Sequence, residues 1–166
     1  MAEIKEGARA PQFTLPAVNL DKIGIDGEEK VALKDFRDEK VVVLYFYPRD
    51  NTSGCTVEAT GFRDLKGQFT RSGAVILGVS TDDLQSHEKF TAKQKLNFPL
   101  LSDDGGKIAE KYGAWKEKKM YGKTFMGMVR STFVIGLDGK IARIWPKVSP
   151  EGHAAEVLEV VKGLKG

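Results

Sequence analysis

The run Val41-Val42-Val43-Leu44-Tyr45-Phe46-Tyr47 contains no charged side chain, and Ala74 to Ser80 repeats the pattern. Successive side chains of a strand point to opposite faces, so a strand with one wet face alternates apolar and polar residues. Neither run alternates. Both read as strands buried on two faces, the condition met in a parallel sheet covered by helices. A third apolar region, Ser131 to Ile135 and then Lys140 to Trp145, is divided by Leu137-Asp138-Gly139-Lys140. An Asp-Gly pair between apolar runs is a strong hairpin signal, so the later strands are expected to be antiparallel and the sheet mixed.

Helical periodicity fills the gaps. Val57, Ala59, Phe62, Leu65 and Phe69 form an apolar stripe that ends before Gly73, and Leu84 to Leu96 and Ile108 to Tyr112 are further helical segments. Ser149-Pro150-Glu151 reads as an N-cap, a first-position proline and an acidic first turn, leading into a closing helix through Ala154, Ala155, Val157, Leu158 and Val161. Phe13 and Leu15, with Val31 and Leu33, suggest a short N-terminal hairpin. The element order is then β-hairpin, β, α, β, α, β, α, ββ-hairpin, α. That order predicts an α/β protein with a thioredoxin-like three-layer fold, a mixed central sheet and an N-terminal β-hairpin. The chain has 166 residues and its hydrophobic fraction is 41%, enough for a single domain over 1–166 with its own core.

Composition removes several classes of function. No apolar stretch reaches the roughly 20 residues of a membrane-spanning helix, and Met1-Ala2-Glu3-Ile4-Lys5-Glu6 lacks the apolar centre of a secretory signal. A soluble protein of the cytoplasm without membrane association is expected. The net charge of +3 is small, and the basic run Lys116-Glu117-Lys118-Lys119 is read as a solvated loop, so no nucleic-acid partner is expected. Cys55 is the only cysteine, which rules out an internal disulfide, and no spaced cluster is present to bind zinc.

Cys55 stands where the first strand hands over to a helix, after Pro48-Arg49-Asp50-Asn51-Thr52-Ser53-Gly54. Pro48 has no N–H to donate and ends the strand. Thr52 or Ser53 can cap the helix, and Gly54 lets a ligand approach the backbone. The Thr52 hydroxyl can equally turn toward the sulfur. Unpaired N–H groups and the partial positive charge of a helix start favour a thiolate. Lowering a thiol pKa from about 8.5 to about 6 requires about 3.4 kcal/mol, and a helix end supplies at most about 2 kcal/mol. A nearby cation is therefore predicted: Arg130, at the mouth of an interior strand, is the first candidate and Arg63 the second. Acidity alone gives little speed. Thiolate nucleophilicity falls with pKa at a slope of about 0.4–0.5, so a 30-fold gain in thiolate shrinks to about twofold. The cation and the N–H groups must chiefly stabilise charge that develops in the transition state.

The remaining candidates draw plainer readings. Glu58 reads either as an active-site neighbour or as a favourable charge in the first helical turn, with the latter preferred. His87 and His153 read as surface groups, Trp115 and Trp145 as packing residues, and Met126 and Met128 as packing that could line an apolar pocket.

Pro48-x-x-x-Thr52-x-x-Cys55 resembles the PxxxTxxC signature of peroxiredoxins, and Phe46 to Thr56, Gly61-Phe62-Arg63-Asp64 and Arg130-Ser131-Thr132-Phe133 resemble the bacterioferritin comigratory (Q-type) branch. The resemblance implies a thiol-dependent peroxidase acting on hydrogen peroxide and organic hydroperoxides, in which Cys55 becomes a sulfenic acid. By the same match Thr52 and Arg130 hold the peroxide oxygens, the N–H groups of Gly54 and Cys55 assist, and Pro48 shields the sulfur from water. No cofactor is implied. Many members of this branch carry a resolving cysteine five residues after the first, where this chain has Thr60. Either the protein is naturally a one-cysteine enzyme resolved by an external thiol, from thioredoxin or glutathione/glutaredoxin, or Thr60 replaces a cysteine. The branch is often monomeric. The competing readings of the residues are a redox sensor without turnover and a thiol-disulfide oxidoreductase, the latter opposed by the missing CxxC motif.

Overall fold

The computed structural model describes residues 4–164, so Met1–Glu3 of the N-terminal stretch read above lie outside it. The strands are β1 (Thr14–Val18), β2 (Lys30–Ala32), β3 (Val41–Phe46), β4 (Ala74–Ser80), β5 (Leu100–Ser102), β6 (Trp115–Met120), β7 (Lys123–Met128), β8 (Ser131–Ile135) and β9 (Ile141–Trp145). The helices are α1 (Ser53–Arg71), α2 (Leu84–Gln94), α3 (Lys107–Lys111) and α4 (His153–Leu164). Among the described residues seven strands form one sheet in the order β2-β1-β5-β4-β3-β8-β9, and β6 and β7 form a separate ribbon. The β3-β4 and β4-β5 pairs are parallel, whereas β3-β8, β8-β9, β1-β5 and β1-β2 are antiparallel. The sheet is mixed, as the two kinds of apolar run predict.

The continuous apolar character of β3 has a direct cause. Val42, Leu44 and Phe46 enter one core with Ala109 of α3 and Tyr112. Val41, Val43 and Tyr45 enter the opposite core with Phe62 and Phe69 of α1, Phe90 of α2 and Val157 and Val161 of α4. Helices cover both faces, so neither set of side chains meets water. Gly61 lets α1 lie close to α4, since a Cβ there would stand 3.5 Å from the Ala154 Cβ. Gly139, at φ +80°, makes the turn between β8 and β9, as the Asp-Gly pair predicts.

Four expectations need correction. The basic run 116–119 is part of β6, because Tyr121 and Gly122 both adopt positive φ (+52° and +75°) and close a tight two-residue turn into β7. The N-terminal strands, by contrast, pair antiparallel as expected, in the register Leu15↔Val31, and β1 also pairs with β5. The last helix begins at His153, because Gly152 at φ +73° breaks the run after Pro150. The helix read from Leu84 to Leu96 ends at Gln94, where Lys95 turns to a left-handed φ of +53°. Val57 is 42% exposed and leaves the apolar stripe of α1, whose buried face is Cys55, Glu58, Ala59, Phe62 and Phe69. That set follows the three- and four-residue spacing of a helix face starting at Cys55 itself.

Candidate active site

β3 ends at Phe46 and the chain turns through Pro48 to Asn51, whose φ of +64° reverses the backbone before α1. Thr52 occupies the N-cap position, but its side chain accepts no capping hydrogen bond. Its hydroxyl instead donates to the Arg49 carbonyl at 3.1 Å. The first backbone bond of the helix runs from Thr56 N to Thr52 O at 2.9 Å. The N–H groups of Ser53, Gly54 and Cys55 therefore precede the first intrahelical bond with no side-chain cap to satisfy them.

Cys55 is 1% exposed, on the inner face of α1. Nη2 of Arg130 donates to its Sγ at 3.3 Å, and Nη1 of the same guanidinium donates to Oε1 of Glu58 at 2.7 Å. Arg130 comes from the residue just before β8, while Cys55 and Glu58 are one helical turn apart. A guanidinium N–H only donates, so the sulfur is the acceptor in this contact. Glycine at position 54 makes the approach possible: a Cβ there would meet Arg130 Nη2 at 3.1 Å and the Pro150 ring at 3.5 Å.

Glu58, read as a helix-start charge in preference to an active-site neighbour, contacts Arg130 beside Cys55. Its carboxyl is buried, Oε1 is held by Arg130, and Oε2 has no hydrogen-bond partner among the described residues. Burial pushes its pKa up to about 7 against the opposing pull of Arg130. The signal for this was its spacing of three from Cys55, which places both side chains on one helix face. Tyr45 stacks on Phe62 beneath the same face with ring centroids 4.8 Å apart, and burial followed by the charge of Glu58 raises its pKa.

The structure brings Cys55 and Arg130 together, carries Thr52 at the N-cap and Pro48 at the strand exit, and does not bring in Arg63. The Arg63 guanidinium donates to the Gln94 carbonyl at 2.7 Å and pairs with Asp64. His87 and His153 are not surface groups: they are 0% and 1% exposed. His153 bonds Thr132 at 2.8 Å through Nε2 and lies edge-on to Trp145, and burial lowers its pKa. Trp115 and Trp145 pack against the two cores as read. Met128 is buried, whereas Met126 is exposed on the ribbon.

The fold and the site together define a thioredoxin-like α/β protein that holds one buried sulfur against an arginine at a helix start. The AhpC/TSA family profile matches residues 7–144. Peroxiredoxin Bcp of Bacillus subtilis (strain 168) is 44% identical over 161 residues, covering 97% of each chain. Peroxiredoxin Bcp of Escherichia coli (strain K12) is 40% identical over 162 residues, covering 98% of each chain. The solved bacterioferritin comigratory protein of Xanthomonas campestris, studied for its alkyl peroxide reduction activity, superimposes with a TM-score of 0.85 at 35% identity over 98% of this chain and 100% of that one. The chain belongs to the AhpC/TSA family, and its Bcp relatives make it a peroxiredoxin, an enzyme of the thiol peroxidase class. Among the described residues no helix is long and apolar enough to cross a membrane.

Proposed function

We propose that Cys55 is the peroxidatic nucleophile of a one-cysteine peroxiredoxin that reduces hydrogen peroxide and organic hydroperoxides and is recycled by an external thiol. The observation that carries this reading is the 3.3 Å contact between Arg130 Nη2 and Cys55 Sγ in a buried site. The thiolate attacks the terminal oxygen of the hydroperoxide, an S–O bond forms, and the O–O bond breaks. Sulfur is oxidised by two electrons, and the departing alkoxide, or hydroxide from hydrogen peroxide, takes up a proton from solvent. Arg130 and the N–H groups of Gly54 and Cys55 stabilise the charge that collects on the oxygens. Thr52 already donates its hydroxyl hydrogen to Arg49, so its oxygen is free to accept from the peroxide O–H. Pro48 limits water at the sulfur. Glu58 holds the other arm of the Arg130 guanidinium.

A thiol then attacks the sulfenic acid, giving a mixed disulfide and water, and a second thiol releases Cys55. The reductant is thioredoxin or glutathione with glutaredoxin, and the enzyme works as a monomer in the cytoplasm. Support for an organic substrate is the alkyl peroxide reduction of the Xanthomonas relative. The test is to mix reduced protein with one equivalent of hydrogen peroxide or of an alkyl hydroperoxide and follow sulfenic acid at Cys55. Oxidation by at least one of them much faster than that of a free thiol, abolished in Cys55→Ser, is expected. Oxidation no faster than a free thiol with either peroxide defeats the reading.

A further inference from the structure

A second buried polar cluster borders the β3–α1 loop and takes no part in the steps above. Asp50 is 6% exposed. Its Oδ1 accepts from the Tyr47 hydroxyl at 2.6 Å, and its Oδ2 accepts from the Ser86 hydroxyl at 2.8 Å and faces Nδ1 of His87 at 2.7 Å. The other ring nitrogen, Nε2, faces the Leu101 carbonyl at 2.8 Å. A carbonyl only accepts, so Nε2 carries a hydrogen, and the contact between Nδ1 and Oδ2 must then hold a further proton. The result is a short hydrogen bond between two buried groups, with each remaining arm satisfied.

The same loop is gripped through its backbone. The Asp50 N–H donates to Oδ2 of Asp82 at 2.7 Å, and Asp82 is itself held by the Ser80 hydroxyl at 2.7 Å. The N–H of Asp50 and the carbonyl of Arg49 belong to one planar peptide unit, so fixing the first fixes the direction of the second. That carbonyl is the group to which the Thr52 hydroxyl donates at 3.1 Å.

We propose that His87, Asp50 and Asp82 are positioning residues for the peroxide reaction, acting through the Arg49–Asp50 peptide to keep the Thr52 oxygen turned as an acceptor. With the peptide held, the single hydrogen of Thr52 is occupied by Arg49 and its lone pairs are left for the hydroperoxide O–H. With the peptide free to rotate, Thr52 recovers its hydrogen and presents a mixture of orientations to the substrate. The inference rests on the peroxidase reading. Failure of that reading shows as slow oxidation of the wild-type protein by peroxide, before any variant is compared.

The experiment compares two reactions of Cys55: its oxidation by hydrogen peroxide and its alkylation by iodoacetamide, which requires no acceptor at Thr52. His87→Asn and Asp82→Ala are each measured alone and in a Thr52→Val background. The single variants are expected to slow oxidation by about tenfold and to leave alkylation within about threefold, a fraction of the loss seen when a transition-state hydrogen bond is deleted outright. In the Thr52→Val background the same changes are expected to alter oxidation by less than about twofold, because the group they act through is gone. Unchanged oxidation in the single variants, a parallel fall in both reactions, or an undiminished effect without the Thr52 hydroxyl overturns the proposal. Asp82→Ala leaves the buried Asp50–His87 pair in place, so the comparison survives if His87→Asn does not fold.

Discussion

At Glu58, burial and Arg130 act on one carboxyl in opposite directions, and burial prevails. Folding raises its pKa from the ordinary 4.5 to about 7. The folded protein therefore keeps a proton that the unfolded chain gives up between those values. The stabilisation is complete below about pH 4.5 and is lost as pH rises through about 7, worth at most about 3 kcal/mol. Glu58→Gln keeps an oxygen for Arg130 and cannot ionise. Urea unfolding of both proteins from pH 4.5 to 8 is expected to show the wild type losing stability relative to Glu58→Gln as pH rises, by up to about 3 kcal/mol. A difference that stays constant across the range removes this carboxyl from the linkage. Individual residues also show where sequence reading stops. Cys55, Thr52 and Arg130 stand out because a reactive thiol needs a helix start and a cation. Glu58 and His87 stand out only once burial is known: each looks like an ordinary polar residue on a helix, and their partners Arg130 and Asp50 lie 72 and 37 positions away in the chain.

The ribbon of β6 and β7 is the element that periodicity concealed. Its turn, Tyr121-Gly122, lacks the Asn or Asp that usually marks a tight hairpin, and its side chains are mostly exposed, so no apolar alternation signals a strand. By contrast β3, β4 and α1 announce themselves, since each has a large buried face. The ribbon returns the chain directly to the active site, because β7 ends two residues before Arg130. Its Lys118 methylenes pass over Gly127, where a Cβ would lie 3.2 Å from Lys118 Cδ. Burial, and then the positive charge of Arg130, lower the pKa of Lys118, while Cys55 acts in the opposite direction. The ribbon thus adds a cation whose field reaches the sulfur. Lys118→Met is expected to slow peroxide oxidation of Cys55 by about twofold to threefold at low ionic strength, and salt of about 0.5 M is expected to erase the difference, since a partly exposed charge is screened. Equal rates at low salt would place Lys118 outside the field of the site.

For the molecule as a whole, the layers follow from sequence and the strand order does not. Two-sided burial and an Asp-Gly turn are local properties, but the β1-β5 pairing joins Ala17 to Leu101 across half of the chain and has no local signature. The same distinction between local and global bears on recycling. Cys55 is 1% exposed, so in the proposed cycle a reductant thiol reaches a sulfenic acid there only if the start of α1 yields. Thr60, where the resemblance to the branch implies a resolving cysteine, lies within the intact helix and donates its hydroxyl to the Thr56 carbonyl at 2.8 Å. Helix geometry puts Cα atoms five residues apart at about 8–9 Å, beyond the roughly 7 Å limit for a disulfide. A cysteine at position 60 can therefore bond Cys55 only after the first turns of α1 unwind. Thr60→Cys treated with one equivalent of peroxide is expected to lose both thiols and part of its helical circular dichroism. The wild type is expected to keep its helix and hold the sulfenic acid until a thiol is added. Time courses of thiol content and ellipticity decide the matter. If Thr60→Cys retains its sulfenic acid as long as the wild type, α1 does not open on its own, and the external reductant must itself drive the opening.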